Sequence, residues 1–219
     1  MLQKKLIRLR RNNLHNLFIL LNIIFIMQLP INREQAIELL KRYNSDVSDW
    51  NHFLESEAVM KELAKKLGED EEYFAMLGLL HDIDWGITKN NSVEHLTKAP
   101  EILREQGFDD EFINNIVSHG CGFECAGLKD KKREKKIEYA LAASETITGL
   151  IHAYALMRGK KISDMDVSGL KKKFKDKRFA AAISRDIVKE AENLGISLDE
   201  FFEVAIEAMK RIKNDIGLE

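Results

Sequence analysis

Apolar residues recur at intervals of three and four along most of the chain from Asn32 onward. This spacing places them on one face of an α-helix, and no sustained alternation of apolar and polar residues indicates β-strands. Only two prolines interrupt a chain of 219 residues. The pattern therefore predicts an all-α fold, a helical bundle around one buried core.

Capping residues and glycines predict where the helices begin and end. Asn32 and Gln35 form a capping box before the first helix, Ser197 and Glu200 form another before the last helix, and Gly68 follows the second helix at the position that glycine favours. The second and third helices are predicted at about 49–67 and 71–82, and residues 84–94 and 120–134 as loops. Further helices are expected at about 95–106, from 109, at 135–157, 185–193 and 198–213.

Residues 1–26 differ from the rest of the chain, since five basic residues without an acid precede an apolar run from Leu17 to Ile26. That run is shorter than the ~20 apolar residues of a membrane-spanning helix. We favour a biological start at Met27, with an over-extended reading frame upstream. A membrane-associating segment and a helix packed on the domain are the alternatives. Residues 27–219 are predicted to form one domain.

Charge and cysteine content limit the classes of function. The formal net charge of −2 gives no general reason to expect binding to nucleic acid. Cys121 and Cys125 lie too close together in sequence to build a disulfide framework, which predicts a reducing, cytoplasmic location. A zinc site from His119 and these cysteines is disfavoured, because the cysteine spacing is loose and a second pair is missing.

The stretch from Gly78 to Gly86 carries the chemistry that organises the chain. An apolar helix ends there in His81 and Asp82, whose side chains lie about 100° apart around the helix axis and can reach one point. Burying several ionisable groups on facing helices is costly unless a cation compensates them. The other candidate ligands on inward faces or at helix ends are His52, His95, His119 and Glu145.

The order of these residues resembles the HD superfamily of metal-dependent phosphohydrolases, most closely its small stand-alone hydrolases. The resemblance covers nearly everything from Met27 onward. Three segments are similar in sequence to segments of that family: Gly78 to Trp85 around His81 and Asp82, Ala142 to Ile151 around the distal acid Glu145, and Leu170 to Ala181. This combination points to the family but not to a substrate.

The resemblance implies a ligand set by position. His52, His81 and Asp82 correspond to the first three ligands of the family's metal site, and His95 and His119 to the pair that two-metal members add. One or two divalent ions are expected, and imidazole and carboxylate ligands suit Mn²⁺, Fe, Co²⁺, Ni²⁺ or Zn²⁺ better than Ca²⁺.

The distal acid departs from the family pattern. Glu145 stands where the family has an aspartate, and Thr146 replaces the acid that usually follows. The extra methylene of glutamate moves the ligating oxygen by more than ~1 Å unless the helix shifts, and metal geometry tolerates only small errors.

The implied reaction is hydrolysis of a phosphate ester or nucleotide by metal-activated water. His81 and Asp82 would form the catalytic centre, and Asp84 or a metal-bound water would protonate the leaving group. Lys172 and Lys175, in a lysine-rich segment, are candidate phosphate contacts, although most of that segment is expected to be a solvated charged face.

Two other functions are weighed against hydrolysis. A catalytically weakened HD module would bind nucleotide or metal in a regulatory role, which Glu145 and Thr146 motivate. An RNA-binding helical protein would use the segment from Lys171 to Lys177, with an affinity that falls steeply with salt. Nucleic acid is not the favoured partner, and a membrane is expected only through residues 1–26. The sequence leaves the substrate and the oligomeric state open.

Overall fold

Helices provide the regular structure of residues 29–219, the part of the chain that this computed structural model describes. The prediction for residues 1–26 lies outside it. The helices are α1 (Arg33–Tyr43), α2 (Val47–Leu67), α3 (Glu71–Leu80), α4 (Trp85–Thr88), α5 (Ala99–Glu105), α6 (Asp110–Val117), α7 (Lys136–Met157), α8 (Val167–Lys175), α9 (Arg185–Lys189) and α10 (Leu198–Arg211). Single turns of 3-10 helix lie at Ser92–Glu94, Ser118–Gly120 and Glu190–Leu194. No strand occurs in the described residues, so the all-α prediction is confirmed.

Helices α2 and α3 form the centre of the bundle, and α7 and α10 pack against α2. The inward face of α2 is fully buried at Phe53, Val59, Met60 and Leu63. Gly78 lets α3 approach α2 closely, because a Cβ atom there would lie 2.4 Å from the backbone oxygen of Ser56. This approach brings the end of α3 beside the N-terminal half of α2, where His52 lies.

The predicted helix ends are confirmed at several positions. The capping box of Asn32 and Gln35 begins α1, and that of Ser197 and Glu200 begins α10. Gly68 follows α2 with a φ of +73°, a left-handed conformation that glycine adopts without strain. These local signals give the correct start or end because each satisfies backbone groups that the helix leaves unpaired.

The segment between α3 and α5 differs from the prediction. Helix α3 ends at Leu80 rather than at Asp82, and the predicted loop contains α4 and a 3-10 turn. The helix expected from His95 begins only at Ala99. Leu96, with a φ of +65°, prevents an earlier start, since a left-handed residue cannot continue a right-handed helix.

Within residues 29–219, none of the helices combines the length and the apolar character needed to cross a bilayer.

Candidate metal centre

Four histidines project into one region from separate elements. His52 belongs to α2, His81 follows the last residue of α3, His95 follows the turn Ser92–Glu94, and His119 lies in the turn after α6. His81 is fully buried, and His119 is nearly so. The structure therefore brings the imidazoles of these four predicted ligands close together in space.

The first group contains His52, His81 and Asp82. The Nε2 atoms of the two histidines lie 3.1 Å apart. Asp82 Oδ2 lies 3.5 Å from His81 Nε2 and 3.9 Å from His52 Nε2. Three ligand atoms therefore surround one point at the end of α3.

The second group uses the other oxygen of the same carboxylate. Asp82 Oδ1 lies 3.2 Å from His95 Nε2 and 3.1 Å from His119 Nε2, and these nitrogens are 3.3 Å apart. Asp82 thus belongs to both groups, with one oxygen directed to each. This is the arrangement that a carboxylate bridging two ions would need.

The tautomer of each histidine follows from its Nδ1 partner. Nδ1 of His81 donates to the carbonyl of Gly78 at 2.8 Å, and Nδ1 of His119 to the carbonyl of Ile116 at 2.7 Å. A carbonyl only accepts hydrogen bonds, so both Nδ1 atoms carry the hydrogen. Nε2 is then left with its lone pair toward the shared centre, as in most histidine metal ligands.

The other two histidines are held in the same way. Nδ1 of His95 lies 3.1 Å from Asp84 Oδ1, a carboxylate acceptor. Nδ1 of His52 lies 3.2 Å from Thr148 Oγ1, whose own hydrogen goes to the carbonyl of Glu145 at 2.6 Å. The threonine hydroxyl therefore accepts from the imidazole, and all four rings present Nε2.

The charges of the centre agree with a site for a cation. Burial lowers the pKa of His81 to about 3, so this ring is neutral and its Nε2 is free to bind a metal. Burial opposes ionisation of Asp82, but His81, His119 and His95 hold the pKa of this carboxyl well below its usual value. Imidazole nitrogens around an ionised carboxylate form the donor set that first-row divalent metals prefer.

The pKa of His95 also indicates that a positive charge is favoured at this centre. Burial alone would lower its pKa, but hydrogen bonds to Asp82 and Asp84 raise it to about 10. Without a metal, the ring therefore holds a proton between two carboxylates. A metal ion at Nε2 would replace that proton, so the residues present fit a divalent cation.

Glu145 lies at the margin of the first group. Its Oε2 is 3.9 Å from His52 Nε2, and its Oε1 accepts a hydrogen bond from Thr146 Oγ1 at 2.5 Å. Burial raises the pKa of this carboxyl. The structure thus brings Glu145 to the centre, although the two compact ligand groups among the described residues do not include it.

Two side chains hold the second group in place. Asp84 is fully buried and accepts backbone hydrogen bonds from Leu96, Lys98 and Ala99 in addition to the one from His95. Its oxygens are therefore occupied, and it does not line the cavity. A proton-donating role for Asp84 does not fit this geometry, because a buried carboxylate with four donors has no free position toward substrate.

Sequence reasoning did not find the second supporting residue, Arg133. Its Nη1 donates to the carbonyls of Ser118, His119 and Cys121, and its Nε and Nη2 bind the carboxylate of Glu190. This buried guanidinium fixes the turn that carries His119. No local signal marks it, since its partners lie in another loop and near the end of α9.

The ligand groups open into a cavity of about 790 Å³. Its walls come from α4, the loop after His119, α7 and the segment before α9, through Trp85, Phe123, Gly149 and Ile183. Lys172 and Lys175, the predicted phosphate contacts, are exposed on α8 and do not line this cavity. This cavity therefore gives no support to their assignment as phosphate contacts, which stays a prediction.

The cysteines do not contribute ligands. Cys121 and Cys125 are buried free thiols, and among the described residues neither joins a metal-capable group. Burial raises the pKa of both thiols, which keeps them protonated. The disfavoured zinc site with His119 therefore gains no support.

Comparison with known families agrees with this geometry. Residues 49–143 match the family model described as HD domain. This segment is an HD domain. The matched range contains His52, His81, Asp82, His95 and His119 but ends two residues before Glu145. HD domains are typical of metal-dependent phosphohydrolases, and the His/Asp groups of this segment could hold metal ions.

Ribonuclease Y of Mycoplasma mycoides is 30% identical to the chain over 97 residues. These residues make up 44% of this chain and 21% of that protein, so the chain spans about a fifth of that relative. No solved structure matches the chain.

Proposed function

We propose that this protein is a metal-dependent phosphoric ester hydrolase that acts on a small phosphate ester or a nucleotide. One observation carries the proposal: the two oxygens of Asp82 each face a separate group of imidazole Nε2 atoms. Such a centre suits two ions from Mn²⁺, Fe, Co²⁺, Ni²⁺ and Zn²⁺. When bound, these ions would supply the Lewis acidity that activates water and stabilises phosphoryl charge.

The protein's own residues would organise the centre. His52, His81, His95 and His119 would hold the ions through Nε2, with Asp82 between them. Asp84 positions His95 and is not assigned to proton transfer. The proton for the leaving group would come from water in the open cavity.

A small substrate is favoured over RNA, even though the similar protein from Mycoplasma mycoides is named a ribonuclease. Among the described residues, no lysine or arginine lines the cavity. Proteins that track a polynucleotide backbone use basic grooves, and binding then depends strongly on salt. A rate of hydrolysis that does not change with salt concentration would support the assignment of a small ester as substrate.

Glu145 and Thr146 support a second candidate function, a module that binds metal and nucleotide without turnover. The carboxylate of Glu145 is tied to Thr146 at 2.5 Å and stands 3.9 Å from the nearest ligand nitrogen. If it cannot reach an ion, the first group keeps three protein ligands. Binding would then persist while catalysis weakens.

Elemental analysis combined with a panel of phosphate esters and nucleotides tests both functions. The hydrolase assignment predicts bound divalent metal, turnover with an added ion, and loss of both in His81→Ala and Asp82→Ala. His152→Gln is the matched control, because this histidine binds Glu55 outside the centre and should keep its metal. Unchanged turnover in either alanine variant would refute the hydrolase assignment. Bound metal without turnover across all ions would favour the binding module.

A further inference from the structure

Three separate segments contribute large apolar side chains to the cavity lining: Trp85, Phe123 and Ile183. Trp85 lies on one side, with its ring centre 5.2 Å from that of His95 in an edge-to-face contact. Phe123 lies in the loop after His119 and is 48% exposed, which is unusual for a large aromatic side chain. Ile183 forms the third wall. An exposed aromatic beside a metal centre provides a flat surface for a ligand.

The wall that carries Ile183 is held by a single arginine. Arg185 donates to backbone carbonyls of Phe174, Asp176, Phe179, Ala180 and Ile183. Gly149 on α7 allows this wall to approach, since a Cβ atom there would lie 2.7 Å from Ile183 Cδ1. The apolar wall is thus built by the fold and is not a free chain segment.

Among the described residues, no lysine or arginine lines the cavity where a second phosphate group would lie. Its charged lining residues within the described chain are acids: Asp82, Glu124 and Glu145. Glu124 is paired with Lys129, which lies outside the lining. The polar side chains are partly engaged as well, since Thr146 donates to Glu145 and Ser184 caps α9 by accepting from Ile187.

Charge and size together define what the cavity can accept. Divalent ions held at the two ligand groups would attract one phosphoryl group, and the described lining contains no lysine or arginine for another. Each further phosphoryl group would face carboxylates and apolar walls and would lose hydration without compensation. At about 790 Å³ the cavity also has room beyond the centre for an organic group.

We propose that the site selects esters with a single phosphoryl group whose organic part is uncharged and presents a flat apolar face to Trp85, Phe123 and Ile183. Aryl phosphates and nucleoside monophosphates belong to this class, whereas nucleoside diphosphates and triphosphates do not. This inference rests on the proposed function, because it assumes that the phosphoryl group binds at the metal centre.

Binding of non-hydrolysable analogues tests the inference without turnover. The chain has two tryptophans, so Trp50→Phe leaves Trp85 as the reporter of this wall. In the Zn²⁺-loaded variant, phenylphosphonate should change Trp85 emission and bind about tenfold more tightly than methylphosphonate, a factor equivalent to about 1.4 kcal/mol. Calorimetry on the unsubstituted protein checks the same ratio. Equal affinities for the two phosphonates would overturn the inference.

Variants of Phe123 test whether this exposed side chain causes the preference for phenylphosphonate. Phe123→Ala should reduce the preference for phenylphosphonate several-fold, and Leu156→Ala should leave it unchanged. Leu156 is the matched control, because it is 50% exposed and does not line the cavity. AMP should bind at least tenfold more tightly than ADP, and Phe123→Lys should narrow that gap by adding a cation. ADP binding as tightly as AMP to the unsubstituted protein would overturn the inference.

The two proposals fail in different ways. Absence of hydrolysis with every ester and ion would refute the hydrolase function, while the phosphonate affinities would still decide the substrate class. Hydrolysis that proceeds equally well with methyl and phenyl phosphate would uphold the function and refute the selectivity.

Discussion

Replacing Asp84 by asparagine separates a positioning role from an acid role. Oδ1 accepts hydrogen bonds from His95 Nδ1 at 3.1 Å and from Leu96 N at 3.2 Å. Oδ2 accepts from Lys98 N at 3.0 Å and from Ala99 N at 3.1 Å. The amide of asparagine has one oxygen, so in either orientation its NH₂ group faces two donors.

The expected cost follows from these contacts. Two buried donors without an acceptor cost about 1–3 kcal/mol each, which gives about 2–6 kcal/mol of lost stability. This is a large fraction of the roughly 5–15 kcal/mol by which domains are stable. His95 also loses its carboxylate partner, and such losses typically reduce metal affinity about 10–100-fold. The first group, which does not use His95, should keep its ion.

Urea unfolding and metal titration measure the two effects. Asp110→Asn is the control, because Asp110 is 77% exposed in its pair with Arg104 and should cost no more than about 1 kcal/mol. If Asp84→Asn unfolds at the same urea concentration as the unsubstituted protein and loses only turnover, Asp84 is the proton donor and the positioning argument is wrong.

Three further outcomes are expected. The hydrogen bond to the buried Glu55 raises the pKa of His152 above 6.5. The stability that this pair adds should therefore be complete below pH 6.5 and disappear as the pH rises through the pKa that His152 has in the folded protein. Glu55→Gln should abolish this pH dependence of the melting temperature. Gly78→Ala should destabilise the protein by about 1–3 kcal/mol or more in thermal unfolding, because its Cβ would meet the backbone of Ser56 at 2.4 Å. Arg133→Met should cost at most about 3–5 kcal/mol, because it leaves the partly buried carboxylate of Glu190 and three backbone carbonyls without their donor, and metal titration should show weaker binding at the second group only.

Local signals explain why so much of the helix order was predictable. Asn32, Gly68 and Ser197 act within one turn of chain, and the 3.6-residue period of the apolar positions requires no knowledge of partners. The candidate ligands were predictable for a different reason. Metal-capable side chains on inward faces are rare, and their order along the chain resembles the HD pattern.

The supporting interactions could not be predicted, because their partners are distant in sequence. Arg133 binds Glu190, 57 residues later in the sequence. Arg185 donates hydrogen bonds to backbone carbonyls of a segment that has no periodic pattern of apolar residues. The start of α5 was misplaced for a similar reason. Its first turn is capped from Asp84, a residue before α4, and a local capping rule does not include such a partner.

Arg133 and Arg185 stabilise different parts of the site, one the turn that bears a ligand histidine and the other the wall bearing Ile183. Changes in length or composition between residues 176 and 184 can therefore alter which organic group fits while the imidazole and carboxylate positions stay as they are. Evolution of new substrate preference in such a protein would begin in that stretch, and engineering of the site can begin there too.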